Sequence, residues 1–537
     1  MSALPKAEAV HVYHGASKHH LDRYAPGPGY LDWANQPEPF RVYAGCERIE
    51  LPLLADRLDV RYADVRAGRL PPPAPLDRSH LGALFELGLG LAAWKEYAGS
   101  RWALRCNPSS GNLHPTEGYL IAPPLPDLPP GVYHYLSRDH VLERRAELST
   151  HVGSPVYLGL TSIVWREAWK YGLRAFRYCQ LDIGHAIGAL AFAAAALGWR
   201  LRLLDAIAQD RLAALLGVDR QEDFGAAEPE LPECLLLLQT DQADGDTDPA
   251  AVVASLEAGP WQGRANRLSA EHRAWPGLED VGQATRRLET SVATAVRPYS
   301  PPERPPPSAL PLDPPLSRLI RQRRSAQEYD GVTRMSADTL LSLLARLLPA
   351  AAPPWTVWPW APAVHLLLFV HRVDGLEPGL YCLLRSPADL HALKSAMRSE
   401  WLWAKQGPAE LPFYLLLPHD LRAVAARLSC HQAIAADSCF AVAMLAGFAD
   451  LGAAPWLYRR RHWEAGLIGQ VLYLEAEAAG VRGTGIGCFF DDEVHRLLGL
   501  EPEGHWQVVY HFTVGGPLED RRLTTLPPYP EDYARRR

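Results

Sequence analysis

FRYCQLDIGHAIGALAFAAAALGWRLRLLDAIAQDRLAALLGVD, residues 176–219, lies without a gap on YRRRHWEAGLIGQVLYLEAEAAGVRGTGIGCFFDDEVHRLLGLE, residues 458–501. Phe176-Arg177 matches Tyr458-Arg459, and Asp182-x-Gly184 matches Glu464-x-Gly466. Leu190 falls on Leu472, Gly198 on Gly480, and Leu215-Leu216-Gly217 on Leu497-Leu498-Gly499. Upstream, Gly131-Val132-Tyr133 is echoed by Gly379-Leu380-Tyr381. Shared glycines and apolar residues at this spacing predict one long core helix per copy, Phe176–Gly198 and Tyr458–Gly480. A unit present twice in one chain predicts two like domains packed about a pseudo-two-fold axis.

Working outward, 537 residues are too many for one ordinary core. The boundaries read as an arm over 1–75, a first domain over 76–260, a proline-dense linker over 297–315 and a second domain over 316–537. The arm is Pro- and Tyr-rich and reads as extended; the mixed, polar stretch 241–296 has no clear place. Hydrophobic content of 48%, charged content of 21% and a net charge of −7 describe a globular protein without a basic stripe, which excludes nucleic acid as an expected partner. Arg535–Arg537 is a short solvated run. The eight cysteines form no Cys-x-x-Cys pair or zinc spacing, and His14, His19 and His20 lack a carboxylate or thiol set to complete a metal site. Free thiols in a reducing compartment follow. The N-terminus carries no signal pattern, and the longest apolar run, Ala186–Leu197, is too short for a bilayer. The expected location is the cytoplasm, with no membrane partner.

Within the first domain, Arg105–Glu117, RCNPSSGNLHPTE, is polar and rich in turn formers. Leu81–Trp94 before it has helical apolar spacing, and Gly118–Ala122 after it reads as a strand. Pro108 and Pro115 fix φ, and Ser109, Ser110, Gly111 and Asn112 supply small polar groups that can approach a flat polar ligand. An ordinary Ser/Gly turn has the same composition. Arg105, Pro108-Ser109-Ser110-Gly111-Asn112, His114-Pro115 and Glu117 together resemble the flavin-contact loop of SagB/ThcOx-type dehydrogenases, members of the FMN-dependent nitroreductase superfamily. Tyr13-His14-Gly15-Ala16-Ser17-Lys18-His19 resembles the N-terminal YHxxSKH signature of SagB-like proteins, and Gly131–Tyr135 resembles a strand signature of the family.

The second copy carries different motifs. Arg323-x-Ser325 resembles the superfamily's Arg-x-Ser-x-Arg phosphate motif, with Gln327 where a base is usual. Arg suits a phosphate through a charge-assisted fork and Ser through its hydroxyl. Gly483-Thr484-Gly485-Ile486-Gly487 occupies the position that in the family brings backbone amides to the flavin N5 edge, where glycine permits close approach. Gly515–Leu523 resembles the family's closing segment, in which a late Arg, here Arg522, meets the phosphate. At Gly485, Ile486 and Gly487 the first copy has Leu203, Leu204 and Asp205; where the first copy has its Ser/Gly loop, the second has Trp355–His365, WTVWPWAPAVH. Each copy keeps half a site, and the halves are complementary.

Lys170-Tyr171 matches a Lys-Tyr pair that is catalytic in azoline-oxidising relatives; a partly desolvated lysine can take a proton. An amphipathic helix end would look the same. Asp182 and His185, at i and i+3, read as an interface pair.

The resemblance implies an α+β fold: two nitroreductase-like domains, each a mostly antiparallel sheet wrapped by helices, forming an intrachain pseudo-dimer that needs no second chain. It implies an FMN-dependent oxidoreductase moving a hydride between FMN N5 and a small organic, heterocyclic or peptide-derived substrate. The implied cofactor residues are Arg105, Pro108, Ser109, Ser110, Asn112, Arg323, Ser325, Gln327, Gly485, Ile486, Gly487 and Arg522, with Lys170 and Tyr171 catalytic and the electron partner open. The alternatives are a flavin-binding or degenerate scaffold without turnover, and an NAD(P)H-dependent nitro- or quinone-reductase.

Overall fold

The computed structural model describes residues 5–149, 155–204, 207–240, 256, 258–287, 299–304 and 307–529. Asp205, Arg535–Arg537 and much of 241–296 lie outside them. Each half of the chain builds one antiparallel sheet. Across the first, the strands run Ala258–Trp261, Val141–Leu148, Gly131–Leu136, Thr116–Ala122, Val156–Ser162, Leu231–Gln239 and Arg200–Leu203. Across the second they run Ala404–Gln406, Phe413–Pro418, Gly379–Leu383, Val364–Val370, Phe440–Gly447, Trp506–Gly515 and Arg482–Ile486. The path through the other six strands is the same in both sheets; the edge strands differ, Ala258–Trp261 coming last of its sheet in chain order and Ala404–Gln406 falling between Gly379–Leu383 and Phe413–Pro418. The central strands Thr116–Ala122 and Val364–Val370 are buried on both faces.

The repeat falls on equivalent elements. Helix Ala175–Ala196 corresponds to Leu457–Ala478, strand Arg200–Leu203 to Arg482–Ile486, and helix Gln209–Leu216 to Asp491–Leu498. Both short helices end on a left-handed glycine, Gly217 (φ 66°) and Gly499 (φ 79°), which only glycine adopts without strain. The architecture is the expected α+β pair of domains.

The core helices cross at Gly184 and Gly466. A Cβ on Gly184 would stand 2.8 Å from Gly466 Cα and closer still to the Trp463 carbonyl; one on Gly466 would stand 2.9 Å from Gly184 Cα and closer still to the Leu181 carbonyl. Each residue thus meets the repeat equivalent of the residue its counterpart meets, the mark of an isologous contact. Phe176 and Tyr458, also equivalents, stack with centroids 6.4 Å apart and planes at 15°. A side chain at the crossing must force the helices apart. Gly184→Val is expected to destabilise the protein by about 3 kcal/mol or more, read as a lowered midpoint in denaturant unfolding; an unchanged midpoint would deny the close crossing.

Segments near the two termini bridge the halves. The 1–75 arm is not simply extended: its helix Lys6–Ala16 packs along helix Pro276–Ala284, gives the Tyr13 hydroxyl to the Leu173 carbonyl of the first half at 2.8 Å, and reaches the second half through His14. His14 Nδ1 is 3.1 Å from the Tyr458 hydroxyl and its Nε2 3.1 Å from Gln507, while Lys18 pairs with Asp492 at 2.8 Å. At the other end, strand Thr524–Leu526 pairs antiparallel with Leu91–Tyr97 of the first half. Leu81–Trp94, read above as helical throughout, is helix only over Arg78–Gly88 and then turns into strand Leu91–Tyr97. Gly90 accounts for the break, since a Cβ there would strike the Glu86 backbone. In the unplaced stretch, Ala258–Trp261 borders the first sheet and Pro276–Ala284 is a helix. Helix Ala175–Ala196, the apolar part of the span Val164–Ala196, is wholly buried, so its composition is that of a core.

Candidate functional site

A cavity of about 740 Å³ opens between the halves. The first half contributes Arg105 and the loop Asn107–Asn112, Tyr171, Tyr178, Asp182 and His185; the second contributes Gln322–Gln327, Tyr473 and Thr484–Cys488. Of the residues expected from sequence, Arg105, Pro108, Ser109, Ser110, Asn112, Arg323, Ser325, Gln327, Gly485, Ile486 and Gly487 all line this one space, as does Tyr171.

The loop's polar side chains brace the loop itself. Ser109 Oγ accepts from the His114 N–H at 2.8 Å, and the Asn112 amide donates to the Ala103 carbonyl at 2.9 Å. Ser110 gives its N–H at 3.1 Å and its hydroxyl at 3.0 Å to Asp182. Arg105 is buried and donates to the Thr116 and Pro39 carbonyls at 2.8 and 2.9 Å, so its guanidinium anchors the loop's base. Asn107, which sequence reading passed over, lines the cavity with a buried Oδ1 that has no hydrogen-bond partner among the described residues.

At the opposite wall the positive charge gathers. Arg323 is buried, donates to the Arg105 carbonyl at 3.2 Å, and keeps an Nε with no partner. Its guanidinium carbon lies 4.8 Å from the Tyr473 ring centre. Ser325 Oγ is 2.8 Å from the Tyr473 hydroxyl, which also accepts the Gly485 N–H at 3.0 Å. Burial, with Arg323 beside it, pulls the Arg324 guanidinium down to about 10. Arg324, Arg482 and Lys95 line the cavity too. Arg522, expected here, is not brought to it: the side chain is exposed and forks onto Asp520 at 2.8 Å from Nε and 2.8 Å from Nη2. A partner two residues away outcompetes a distant pocket for an exposed arginine. Arg324, Arg482 and Lys95 come from three separate segments, and only the fold reveals them together.

Tyr171 and Lys170 lie against the loop. A Cβ on Gly111 would stand 3.1 Å from Lys170 Nζ and closer still to the Tyr171 hydroxyl, so this glycine is required by close approach. Lys170 Nζ is 5.3 Å from the Tyr171 ring centre, and Tyr171 meets Tyr178 edge-on at 4.6 Å. Gly487 is held bare by Tyr178 in the same way. Burial pushes the Tyr171 hydroxyl well up, with Glu167 adding to it.

Asp182 is not merely an interface residue, because it faces this cavity. Burial raises its carboxyl to about 7, against the lowering effect of the Ser109 and Ser110 hydrogen bonds. The unfolded chain ionises near the ordinary value of 3.8, so between about pH 4 and pH 7 the folded state holds the extra proton and stability falls as pH rises. Asp182→Asn is expected to remove about 4 kcal/mol of that fall. Unfolding free energies of both proteins across the range check this; parallel curves would assign the slope elsewhere.

The position related to the cavity by the repeat is filled. Leu203 and Leu204, with Trp360, Trp456 and Trp463, leave about 40 Å³ there. Glu464, the equivalent of Asp182, accepts from the Ala363 N–H at 3.0 Å and is paired with buried Arg385.

Residues 320–516 match the nitroreductase family. A solved structure from Anabaena variabilis, described as a nitroreductase, aligns over 95% of this chain and 99% of its own, with a TM-score of 0.67 at 22% identity. That likeness shows the same fold across both halves. A nitroreductase from Exiguobacterium sibiricum in complex with FMN aligns over 38% of this chain and 88% of its own, at 14% identity and a TM-score of 0.21. The E. coli microcin synthetase McbBCD, solved with truncated pro-MccB17 bound, aligns over 44% and 86%, at 13% identity and a TM-score of 0.26. No curated protein matches the chain.

Proposed function

We propose that this chain is a cytoplasmic FMN-dependent oxidoreductase of the SagB/ThcOx type, made by tandem duplication of a nitroreductase-like domain and holding one flavin between its halves. The observation that carries the reading is the composite cavity: a glycine- and serine-rich loop and Tyr171 on one side, with Lys170 behind the loop's Gly111 turn and outside the lining, and Arg323, Ser325 and the Gly485–Gly487 strand end on the other. The residues fit the group. Arg323 Nε and Asn107 Oδ1 are buried polar atoms without partners, and unpaired groups of this kind are costly unless a ligand meets them.

Bound FMN would supply a two-electron carrier that takes or gives hydride at N5. Arg323 and Ser325 would hold its phosphate, with Arg324, Arg482 and Lys95 keeping that end positive. The loop would lie along the ring. Lys170 would accept the substrate proton through the Tyr171 hydroxyl, which passes its own proton to the amine as it takes the substrate's. The substrate is a small organic or heterocyclic molecule, free or within a peptide, and one chain suffices as its own dimer.

Flavin extracted from the purified protein tests this directly. FMN recovered by chromatography is the expected result, and a colourless protein that takes up none returns the chain to a non-catalytic scaffold. Rapid bleaching by NAD(P)H would favour a nitro- or quinone-reductase instead.

A further inference from the structure

Two cysteines far apart in sequence meet at the cavity. Cys488 lies in its wall, directly after Gly487, and Cys430 comes from the turn after helix Arg422–Leu428. Both are half-buried free thiols, near enough for each to act on the other's ionisation. Gln432 ties the two segments, donating to the Ser429 carbonyl at 2.8 Å and to the Cys488 carbonyl at 3.1 Å. Cys430 has φ 53°, a left-handed backbone that a non-glycine residue adopts at a cost and that marks a built feature.

The surroundings favour a thiolate at Cys488. His19 lies near its sulfur. Since His19 Nδ1 accepts from the Ala25 N–H at 2.9 Å, its proton sits on Nε2, which is left as a donor. Arg174, whose Nε donates to the Gly487 carbonyl at 3.1 Å, adds positive charge. The Cys430 thiol beside it, then His19 and Arg174, hold Cys488 below the ordinary thiol range although burial opposes them, while Cys430 is held above it. Asp491, paired with Arg174, and Tyr24, beside Cys430, are the other titratable groups around the pair. Cys488 is close enough to Tyr171 and Tyr178 for its charge to act on both. Cys488 therefore lines the cavity at its Tyr171–Tyr178 end. A low-lying thiolate with a second thiol beside it is the arrangement of a reactive dithiol.

We propose that Cys430 and Cys488 are a redox-active dithiol–disulfide pair that exchanges two electrons with flavin in the cavity, a proposal that rests on the cofactor assignment above. On oxidation the Cys488 thiolate and the Cys430 thiol form one S–S bond and the Cys430 S–H bond is lost. Oxidised flavin takes the two electrons and that one proton, leaving the reduced flavin anion. The pair supplies the electron partner for which the sequence offers no other candidate.

The test uses the full chain with its thiols reduced and reductant removed without oxygen, then mixed with an equivalent of FMN. Bleaching of the flavin is expected together with one Cys430–Cys488 linked peptide in mass mapping, the remaining cysteines staying open to alkylation. C430S and C488S, each shown folded by circular dichroism, should leave the flavin unbleached. Bound FMN, seen by its quenched fluorescence, that stays oxidised while oxidised glutathione closes the pair would overturn the exchange. Failure to close with either oxidant would overturn the pair itself. Fluorescence that is never quenched would instead sink the cofactor assignment, and the exchange with it.

Discussion

Lys170→Ala is expected to bind FMN as tightly as the parent chain yet oxidise its substrate roughly 100-fold more slowly or worse, the usual size of a lost general base. Lys170 closes no ion pair that builds the core; its amine lies against the Gly111 turn and above the Tyr171 ring. Removing it should leave the loop standing, because Ser110 and Asp182, Ser109 and His114, and Asn112 and Ala103 hold the loop by their own hydrogen bonds. The loss should therefore fall on turnover and not on affinity, and a rise in pH should not restore it. Tyr171→Phe should retain the packing against Tyr178 and lose only the acid. Unchanged turnover in Lys170→Ala would reduce both residues to a packed helix end.

Arg323→Ala is expected to weaken FMN by roughly 10- to 100-fold, the worth of one charge-assisted contact of about 1.5–3 kcal/mol. Arg323 is buried at the cavity with an Nε that meets no partner among the described residues, and unlike Arg105 it belongs to the expected phosphate motif. Arg323→Lys should recover part of the loss, since charge returns without the fork. Arg522→Ala should change affinity by less than about twofold, because an exposed pair with its own neighbour contributes little. Equal losses in the two alanine variants would restore the sequence-based placing of Arg522 and contradict the geometry. Fluorescence titration of the three variants decides it.

Much of the architecture is legible because symmetry leaves marks in sequence. The helices can cross closely only at small residues, so Gly184 and Gly466 had to sit at equal places in the two copies. The left-handed ends at Gly217 and Gly499 had to be glycine for the same reason of geometry. The site's two lobes were legible for a related reason: a loop of small residues and an Arg-x-Ser step are local features. What failed was everything set by distance along the chain. Lys95, Arg324 and Arg482 share no segment, and Cys430 and Cys488 escape any search for Cys-x-x-Cys. Helix Lys6–Ala16 has no capping side chain and owes its form to packing along Pro276–Ala284 and between Leu173 and Tyr458 of the two halves. Misreading Leu81–Trp94 was avoidable, since Gly88-x-Gly90 is a breaker signal within the apolar pattern.

The filled mirror position gives the composite site its sharpest consequence. Tryptophans and leucines occupy the place where a second flavin would lie, and Arg385 neutralises the carboxylate that matches Asp182. Titration of the flavin-free chain with FMN, followed by fluorescence quenching and by the mass of the native complex, tests the central claim most directly. One FMN per chain is the result expected, with affinity falling both when Arg323 of the second half is changed and when the Gly111 turn of the first half is blocked by Gly111→Val. Two FMN per chain, or one whose affinity answers to changes in only one half, would contradict a single site shared between the halves.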